Sequence, residues 1–521
     1  MNVFFFSSET VLLTWPNRIS VCVCLFIAHI LGAEFTFAQS SELRIGILDI
    51  PPSLGNPYTA LGPPSTHFWG SLYDSLTTVA DDGSIMPALA LEWTQVEPTR
   101  WIFSLRGGVR FHNGTPFDAE AVVFTLTYLQ SAEASRFLVA NETKNILGVR
   151  QISDYEVEIV TRETDAILPR RLSLVKIIEP HLWTELGPEE YALKPIGTGP
   201  YAFSDWGPGN RSATFTAFGK GLRATKSIQR LIFVEVPTAV GREQALLSDE
   251  LDLISAINPD SIEAVRGAGF DIHVHSVSQI LSIALPNVRK EDSPLKSSSV
   301  RKALNFAVDR QSIAKHIFGG LVEVASQGAV AGTVGFNPQL EPYPYDPEEA
   351  RRLLVNAGYP NGFALTIGVL QAAGSGLELA YQKVGQDLTA LGIAVEVRAV
   401  PSAEFLRRFM SNDWGDYDAF SMLWNNEPMR DVGRALEYFS CLRPQPFFCN
   451  NEIAEAIQTS REELDPEKRK EILQEIMART KELAPALWLT NTVHLSASNP
   501  RVKNVYMESD GFRFEDMVIG H

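Results

Sequence analysis

A dense run of polar side chains follows a tryptophan at residues 423–433, which read LWNNEPMRDVG. An aromatic ring beside amides, a carboxylate and a guanidinium is the set of groups that a cleft for a small ligand needs. The pattern predicts an apolar wall at the tryptophan and polar contacts from the residues after it. The alternative is that the tryptophan belongs to the core. The predicted ligand-binding residues are Trp424, Asn425, Asn426, Glu427, Arg430 and Asp431.

The guanidinium of Arg430 makes this prediction specific. Inside a closed cleft it needs an anion, because an unpaired buried charge costs several kcal/mol. One alternative is a carboxylate or phosphate of the ligand. The other is an internal partner such as Glu427 or Asp431.

Two histidines, His273 and His275 in the stretch DIHVH, share one face of a predicted strand. Paired imidazoles of this kind can bind a metal ion, but they also occur as polar residues on an exposed face. We predict neither a metal site nor a cofactor. The chain contains no G-x-S-x-G elbow, no H-E-x-x-H motif and no phosphate-binding loop. We therefore predict that the protein is not an enzyme, with a secreted hydrolase using a carboxylate pair as the alternative.

The N-terminus has the features of an export signal. Arg18 precedes the apolar run ISVCVCLFIAHILGA, which ends in small residues and is followed by EFTFAQS, with Ala38 at the cleavage site and Thr36 two residues before it. This pattern predicts a cleavable signal peptide over residues 1–38. Cys22 and Cys24 lie within the signal. Because neither adjoins the mature sequence, a lipoprotein is not expected.

The two remaining cysteines, Cys441 and Cys449, stand in CLRPQPFFC. An isolated pair in an exported protein predicts a small disulfide loop. The alternative is two free thiols.

Length and charge narrow the class of protein further. The chain has 521 residues and a formal net charge of −17, so several domains are expected. An acidic balance argues against nucleic acid as a partner, because phosphate backbones are bound by Lys and Arg.

In the first half, residues 43–50 and 101–105 alternate apolar and polar side chains, as half-buried strands do. Residues 109–117 predict a second short strand that enters an Asn-Gly turn. Residues 118–129 predict a helix with acids in its first turn. The region 76–195 therefore reads as α+β.

The second half alternates helices with strands, which indicates an α/β lobe. Helices are predicted over 346–357, 377–391 and 464–483, and a strand over 393–397. The first of these helices begins with Asp-Pro-Glu-Glu, a capping-box pattern.

The stretch VRKALNFAVDR at residues 300–310 predicts a short amphipathic helix, with Asp309 capping the helix that follows and the remaining charges as solvated flanks of the apolar face. Its apolar face consists of Val300, Leu304, Ala307 and Val308.

Four stretches occur in the order and spacing of one family: FSLRGGVRFHNGTPFDAEAVVF, KPIGTGPYAF, VRKALNFAVDR and YDPEEARRLLVNAGY. Together they make the chain similar to the bacterial extracellular solute-binding proteins of the peptide/nickel-binding type. These are the periplasmic receptors of ABC importers. The resemblance covers essentially the whole mature chain and implies a receptor that delivers a small solute or peptide to membrane permease subunits. A sensing role without an importer is a further alternative.

The resemblance implies an α/β, periplasmic-binding-protein-like fold of two lobes with an inserted domain and a hinge. Domain I would comprise 39–75, 196–285 and 495–521, domain II 76–195, and domain III 286–494. We expect a periplasmic monomer.

One departure from the family concerns the ligand. Peptide-binding members resemble Trp-x-x-Asp-x-x-Asp-Pro, where the second Asp can pair with a peptide amine. Here Glu427 takes the first Asp position and Arg430 the second. A cation at that position predicts an anionic ligand or one without a free amine. The alternative is that Asp431 shifts into the place of the Asp.

Overall fold

The computed structural model describes residues 41–59, 62, 65–288, 290–371, 376–443, 446–508 and 511–520, without the side chains of residues 402 and 403. The predicted signal peptide lies outside the described residues. The described residues from Glu42 onward form one compact unit. None of the helices in this part of the chain is both long and apolar enough to cross a membrane.

The strands are numbered in chain order. They are β1 (Glu42–Ile47), β2 (Thr77–Val79), β3 (Ile85–Pro87), β4 (Ala90–Glu97), β5 (Arg100–Leu105), β6 (Ile146–Ser153), β7 (Glu156–Thr161), β8 (Tyr201–Trp206), β9 (Ser212–Ala217), β10 (Arg230–Glu235), β11 (Leu253–Ser255), β12 (Asp271–Ala284), β13 (Ala364–Leu370), β14 (Ala394–Val400), β15 (Ala419–Asn425), β16 (Ala486–Ser498), β17 (Val502–Lys503), β18 (Met507–Glu508), β19 (Gly511–Phe512) and β20 (Val518–Ile519).

The helices are numbered in the same way. They are α1 (Ser65–Leu72), α2 (Ala119–Leu129), α3 (Leu168–Leu172), α4 (Pro180–Leu193), α5 (Ala239–Leu247), α6 (Ile262–Gly267), α7 (Ser298–Phe306), α8 (Arg310–Ser312), α9 (Pro347–Asn356), α10 (Leu377–Ala390), α11 (Ser402–Ser411), α12 (Val432–Leu436), α13 (Asn451–Glu462) and α14 (Pro466–Leu483). Short helical turns add Ala134–Arg136, Leu138–Thr143, Pro208–Asn210, Pro259–Ser261, Pro294–Lys296, Ile313–Ile317, Glu437–Phe439 and Phe514–Asp516.

One large sheet has the strand order β14-β13-β15-β12-β16-β11-β1-β10-β9-β8. Its parallel pairs are β1 with β10 and β11, and β13 with β14 and β15. The two longest strands, β12 and β16, are antiparallel at the middle of the order and link the two groups of parallel strands. We call them the central strands. A separate antiparallel sheet, β4-β5-β7-β6, lies within residues 76–195, which we call the insert segment.

Most predicted elements of the second half form where the periodicity places them. Asp346 caps α9 by accepting a hydrogen bond from the Glu349 amide, at 2.9 Å. The reciprocal half of the capping box is absent, because the Glu349 carboxylate binds Arg352 at 2.6 Å instead.

The strand predicted over residues 109–117 is wrong. This segment forms a narrow hairpin with one isolated bridge, between Arg110 and Pro116, and not a strand. The Asn-Gly turn is present, with Gly114 at φ 88° and its amide bonded to Phe111. No longer ladder forms, because Pro116 has no amide to donate and the amides of Arg110 and His112 bond to Lys220 O and Gly197 O outside the segment.

The predicted exposure of the charges in residues 300–310 is also wrong. Arg301 and Arg310 are buried, at 2% and 3% exposure. The Arg301 guanidinium donates to the carbonyls of Leu483 and Leu295, both at 2.6 Å. Arg310 donates to Trp488 O at 2.5 Å. Each guanidinium satisfies buried carbonyls and so ties α7 and α8 to the chain around β16. Asp309 caps α8 as predicted.

Candidate functional site

The segment with the predicted ligand-binding residues joins β15 to α12 and is fixed by backbone contacts. The Asn426 amide donates to Ser278 O of β12 at 2.9 Å. The Asn426 side chain, which is fully buried, donates to Gly328 O at 2.8 Å. Arg430 has a positive φ of 47°. These contacts hold the loop in one conformation between the central strand β12 and residue 328.

Trp424 lies in the core and does not form the predicted apolar wall. Its ring is 0% exposed and stacks on Phe439 with centroids 4.0 Å apart. An ideal Cβ on Gly328 would meet the ring at 2.5 Å. The reason is the period of two along β15, which directs Phe420, Met422 and Trp424 into one apolar cluster beneath α13 and α14.

Asp431 is buried in an ion network and makes no contact with open space. Its carboxylate accepts two hydrogen bonds from Arg469, at 2.6 and 3.0 Å, and lies 3.7 Å from Arg170 Nε. It also caps α12 through the Gly433 amide. Burial pushes the pKa of Asp431 up, but the two guanidinium groups outweigh it and hold the pKa below its ordinary value. Asp431 thus does not take the place that the family gives to the second Asp.

Arg430 has internal partners. Its guanidinium lies 2.9 Å from the Asp81 carboxylate, donates to Asp81 O at 2.7 Å, and lies 3.4 Å from Glu427. Glu427 also accepts from the Ser278 amide, and burial raises its pKa. Of the two alternatives for Arg430, the structure shows the internal anion. Asp81 belongs to the insert segment, so this pair joins distant parts of the chain.

Arg430 also lines a cavity of about 600 Å³ beside β12, which we call the β12 cavity. His273 and His275 contribute their side chains, and Tyr506 and Asp81 close one side with a short hydrogen bond between them. Burial lowers the pKa of His275 to about 4. No group of three or more His, Cys, Asp or Glu side chains among the described residues is arranged to hold a metal ion.

A second cavity, of about 420 Å³, has mainly apolar walls and lies where β13 and β15 end. We call it the apolar recess. Of the predicted residues only Asn425 lines it. Sequence reasoning missed the rest, although the apolar face of α11 in SAEFLRRFM was a usable signal. The recess is lined by Leu370, Leu377, Tyr381, Phe405, Leu406, Phe409, Ser421, Met422, Leu423, Asn425, Arg434, Ala435 and Tyr438.

The model of the bacterial extracellular solute-binding proteins, family 5, matches residues 84–445. The chain belongs to this family. The heme-binding protein A of Haemophilus influenzae is 25% identical over 467 residues, which cover 82% of this chain and 83% of that protein. The dipeptide-binding protein of Escherichia coli is 23% identical over 84% of this chain and 86% of that protein.

Solved structures give the same fold. The ABC transporter substrate-binding protein CtaP of Listeria monocytogenes superposes with a TM-score of 0.81, at 19% identity, over 92% of this chain and 100% of that one. HbpA2 of Haemophilus parasuis gives a TM-score of 0.79, at 21% identity, over the same shares. The predicted multi-domain periplasmic-binding-protein fold is confirmed.

Membership of family 5 also confirms the predicted class of function: the chain is a solute-binding receptor of an ABC importer. The family consists of extracellular substrate-binding proteins of transporters and not of enzymes. The alternative of a secreted hydrolase is therefore not supported.

Proposed function

We propose that the protein is exported, loses residues 1–38 by cleavage after Ala38, and works as a periplasmic monomer. It captures one small solute between residues 286–494 and the rest of the chain and delivers it to the permease subunits of its importer. The domains that carry this motion are residues 39–75 with 196–285 and 495–521, residues 76–195, and residues 286–494. The central strands, which link the two groups of parallel strands, are the hinge.

The observation that supports this proposal is the position of the apolar recess. It opens at the carboxyl ends of the parallel strands β13 and β15. Ligands of α/β proteins bind outside the carboxyl ends of such strands. Arg434 at its rim lies 3.9 Å from Glu142 of the insert segment, so the recess is next to the surface where the two parts meet.

The charged residues of the loop between β15 and α12 limit the class of solute that can bind. Arg430 is paired with Asp81 and Glu427 and does not require an anion from the ligand. Asp431 is bound by Arg469 and is not available to a peptide amine. The relatives are named for heme, dipeptide, glutathione and nickel. A free peptide held by its amine at residue 430 or 431 is the least compatible of these.

The direct test is to purify the protein from the periplasm and release its solute for mass spectrometry. A thermal-shift screen of peptides, organic acids, sugars and metal complexes then follows with the ligand-free protein. A specific solute at 100 times its dissociation constant should add about 2.7 kcal/mol of stability. Absence of any carried or stabilising solute, together with unchanged solute uptake in a deletion strain, would contradict the proposal.

A further inference from the structure

The apolar recess leaves large apolar side chains uncovered. Leu406 on α11 is 60% exposed and Leu423 on β15 is 37% exposed, and both line the recess. Phe405 and Phe409 stand beside Leu406 on the same wall. Apolar surface concentrated in a concave site marks a place where an apolar group binds.

One cation interrupts this apolar lining. Within the described residues, Arg434 on α12 makes a single hydrogen bond, from Nη1 to Asn425 O at 3.3 Å. Its buried Nε has no hydrogen-bond partner and lies 3.9 Å from Glu142. Glu142 is itself bound by Arg171 at 3.1 Å. The donors of Arg434 are therefore not used up within the protein.

Two fully buried arginines show how a guanidinium is satisfied within this protein. Arg310 donates four hydrogen bonds and Arg301 donates five, all of them at 3.3 Å or less. By contrast, no described residue accepts a hydrogen bond from Nη2 of Arg434, which lines the recess with a side chain that is 21% exposed. A carboxylate is the group that a guanidinium recognises best.

The described lining of the recess supplies no anion for a cation. Its remaining polar groups come from Ser421, Asn425, Tyr381 and Tyr438, and no Asp or Glu is among the described residues that line it. A peptide would place its charged amine in or beside apolar walls without an anion, which costs free energy. An uncharged body with one acid group meets the lining without that cost.

We propose that the apolar recess binds a non-peptide solute with an apolar body and one carboxylate, and that Arg434 donates to that carboxylate. This inference rests on the proposed receptor function and names the chemical class of its ligand. The apolar body packs on the wall formed by α11, with Leu406 covering it. The carboxylate lies at the Asn425 and Arg434 end of the recess.

Calorimetric titration of the mature, ligand-free protein tests the inference with hydrocinnamate, its neutral amide, propionate and the dipeptide Leu-Phe. We expect hydrocinnamate to bind more tightly than the other three. Arg434→Gln should lower the affinity for hydrocinnamate by at least about tenfold, because one charge-assisted hydrogen bond is lost. It should leave the affinity for the neutral amide unchanged. Leu406→Asn should weaken the binding of both hydrocinnamate and its amide. The matched control is Arg407→Gln, which removes the same charge from the exposed side of α11.

Equal affinities for the acid and its amide would overturn the inference, and so would tighter binding of the dipeptide. An equally large loss of hydrocinnamate affinity in Arg407→Gln would overturn it as well. Leu406 is largely exposed, so its variant folds even if Arg434→Gln does not. If the thermal-shift screen finds a solute of another class whose binding neither variant changes, the recess inference fails and the receptor function stands. If no solute binds in the screen and uptake is unchanged in the deletion strain, both fail.

Discussion

At the scale of single residues, Asp431 shows how a buried charge is tolerated. The carboxylate is 1% exposed, and Arg469 and Arg170 surround it with donors. Taking the three charges out of water is costly, and the short contacts with Arg469 offset that cost. Asp431 is therefore a structural residue at the place where the sequence predicts a ligand contact.

Asp431→Asn should lower the free energy of unfolding at pH 7 by about 3–5 kcal/mol, because two guanidinium groups lose their counter-charge. Urea unfolding measures this loss. The control is Asp416→Asn, whose carboxylate is 70% exposed and pairs with Arg398; it should cost less than about 1 kcal/mol. Equal losses in the two variants would show that Asp431 is not held as described.

The pH dependence of the same residue follows from its pKa, which is lowered from 3.8. A depressed carboxyl pKa stabilises the fold above the pKa of the unfolded state and stops doing so as pH falls through the folded value. The difference between wild type and Asp431→Asn should therefore be constant above about pH 5 and shrink only in stronger acid.

At the scale of elements, local periodicity was sufficient for most of the structure. The helices α9, α10 and α14 and the strand β5 form where apolar spacing and caps predict them. The candidate site is not predictable from local patterns, because its contacts join residues that are far apart in the chain. Arg430 with Asp81 and Arg170 with Asp431 are such pairs, and no local pattern contains them. The sequence does not tell which face of β15 is buried, so it predicts Trp424 in the cleft although the ring lies in the core.

The disulfide loop is the element whose covalent bond can be tested directly. Cys441 and Cys449 are joined in the structure, and Asn287 holds the loop by donating to Cys449 O and accepting from its amide. A closed loop this short constrains the unfolded chain, so its reduction should cost about 2–3 kcal/mol.

Alkylation without reductant, followed by mass spectrometry, should find both cysteines unalkylated in periplasmic protein, because the disulfide protects them. Dithiothreitol should lower the melting temperature of the wild type. The double variant Cys441→Ser, Cys449→Ser should melt at that lower temperature with or without reductant. Two alkylated cysteines in the untreated protein would contradict the pairing.

At the scale of the whole molecule, three histidines join the central strands to α1. His275 and His494 are partners across β12 and β16, and His67 of α1 adjoins them. Burial lowers the pKa of His67 to about 3 and those of His275 and His494 to about 4. All three are therefore neutral in the folded protein at pH 6.

Between about pH 6.5 and pH 4 the unfolded chain binds protons at these histidines and the folded chain does not, so stability falls as pH falls. The groups that face His275 are His273, Asp81 and Phe512. Of these, only the Asp81 carboxylate raises the pKa of His275. Urea unfolding at pH 7, 6 and 5 should show the decline, and His494→Gln should reduce its slope. The exposed His181→Gln should leave the slope unchanged. An identical slope in both variants would contradict this reading.

Arg170 bridges the surface where the insert segment meets residues 286–494. Arg170 on α3 donates to Met429 O at 2.5 Å and to Gly83 O at 2.6 Å, and it lies against Asp431. Among the described residues, the ion pairs of the neighbouring Arg171 are with Glu142 and Asp165, both inside the insert segment. Two adjacent arginines thus differ in whether they bridge the two parts of the molecule.

Arg170→Gln should shift the ligand-free protein toward an open form, because a contact made only when the parts meet is lost. Small-angle scattering should record a larger radius of gyration than for the wild type, and a saturating solute should reverse the increase. Apparent solute affinity should fall in proportion to the lost closed population. Arg171→Gln, an equal change of charge on the same helix, should leave the radius of gyration at the wild-type value. If both variants expand alike, the charge and not the bridge is responsible, and if neither expands, Arg170 does not hold the two parts together.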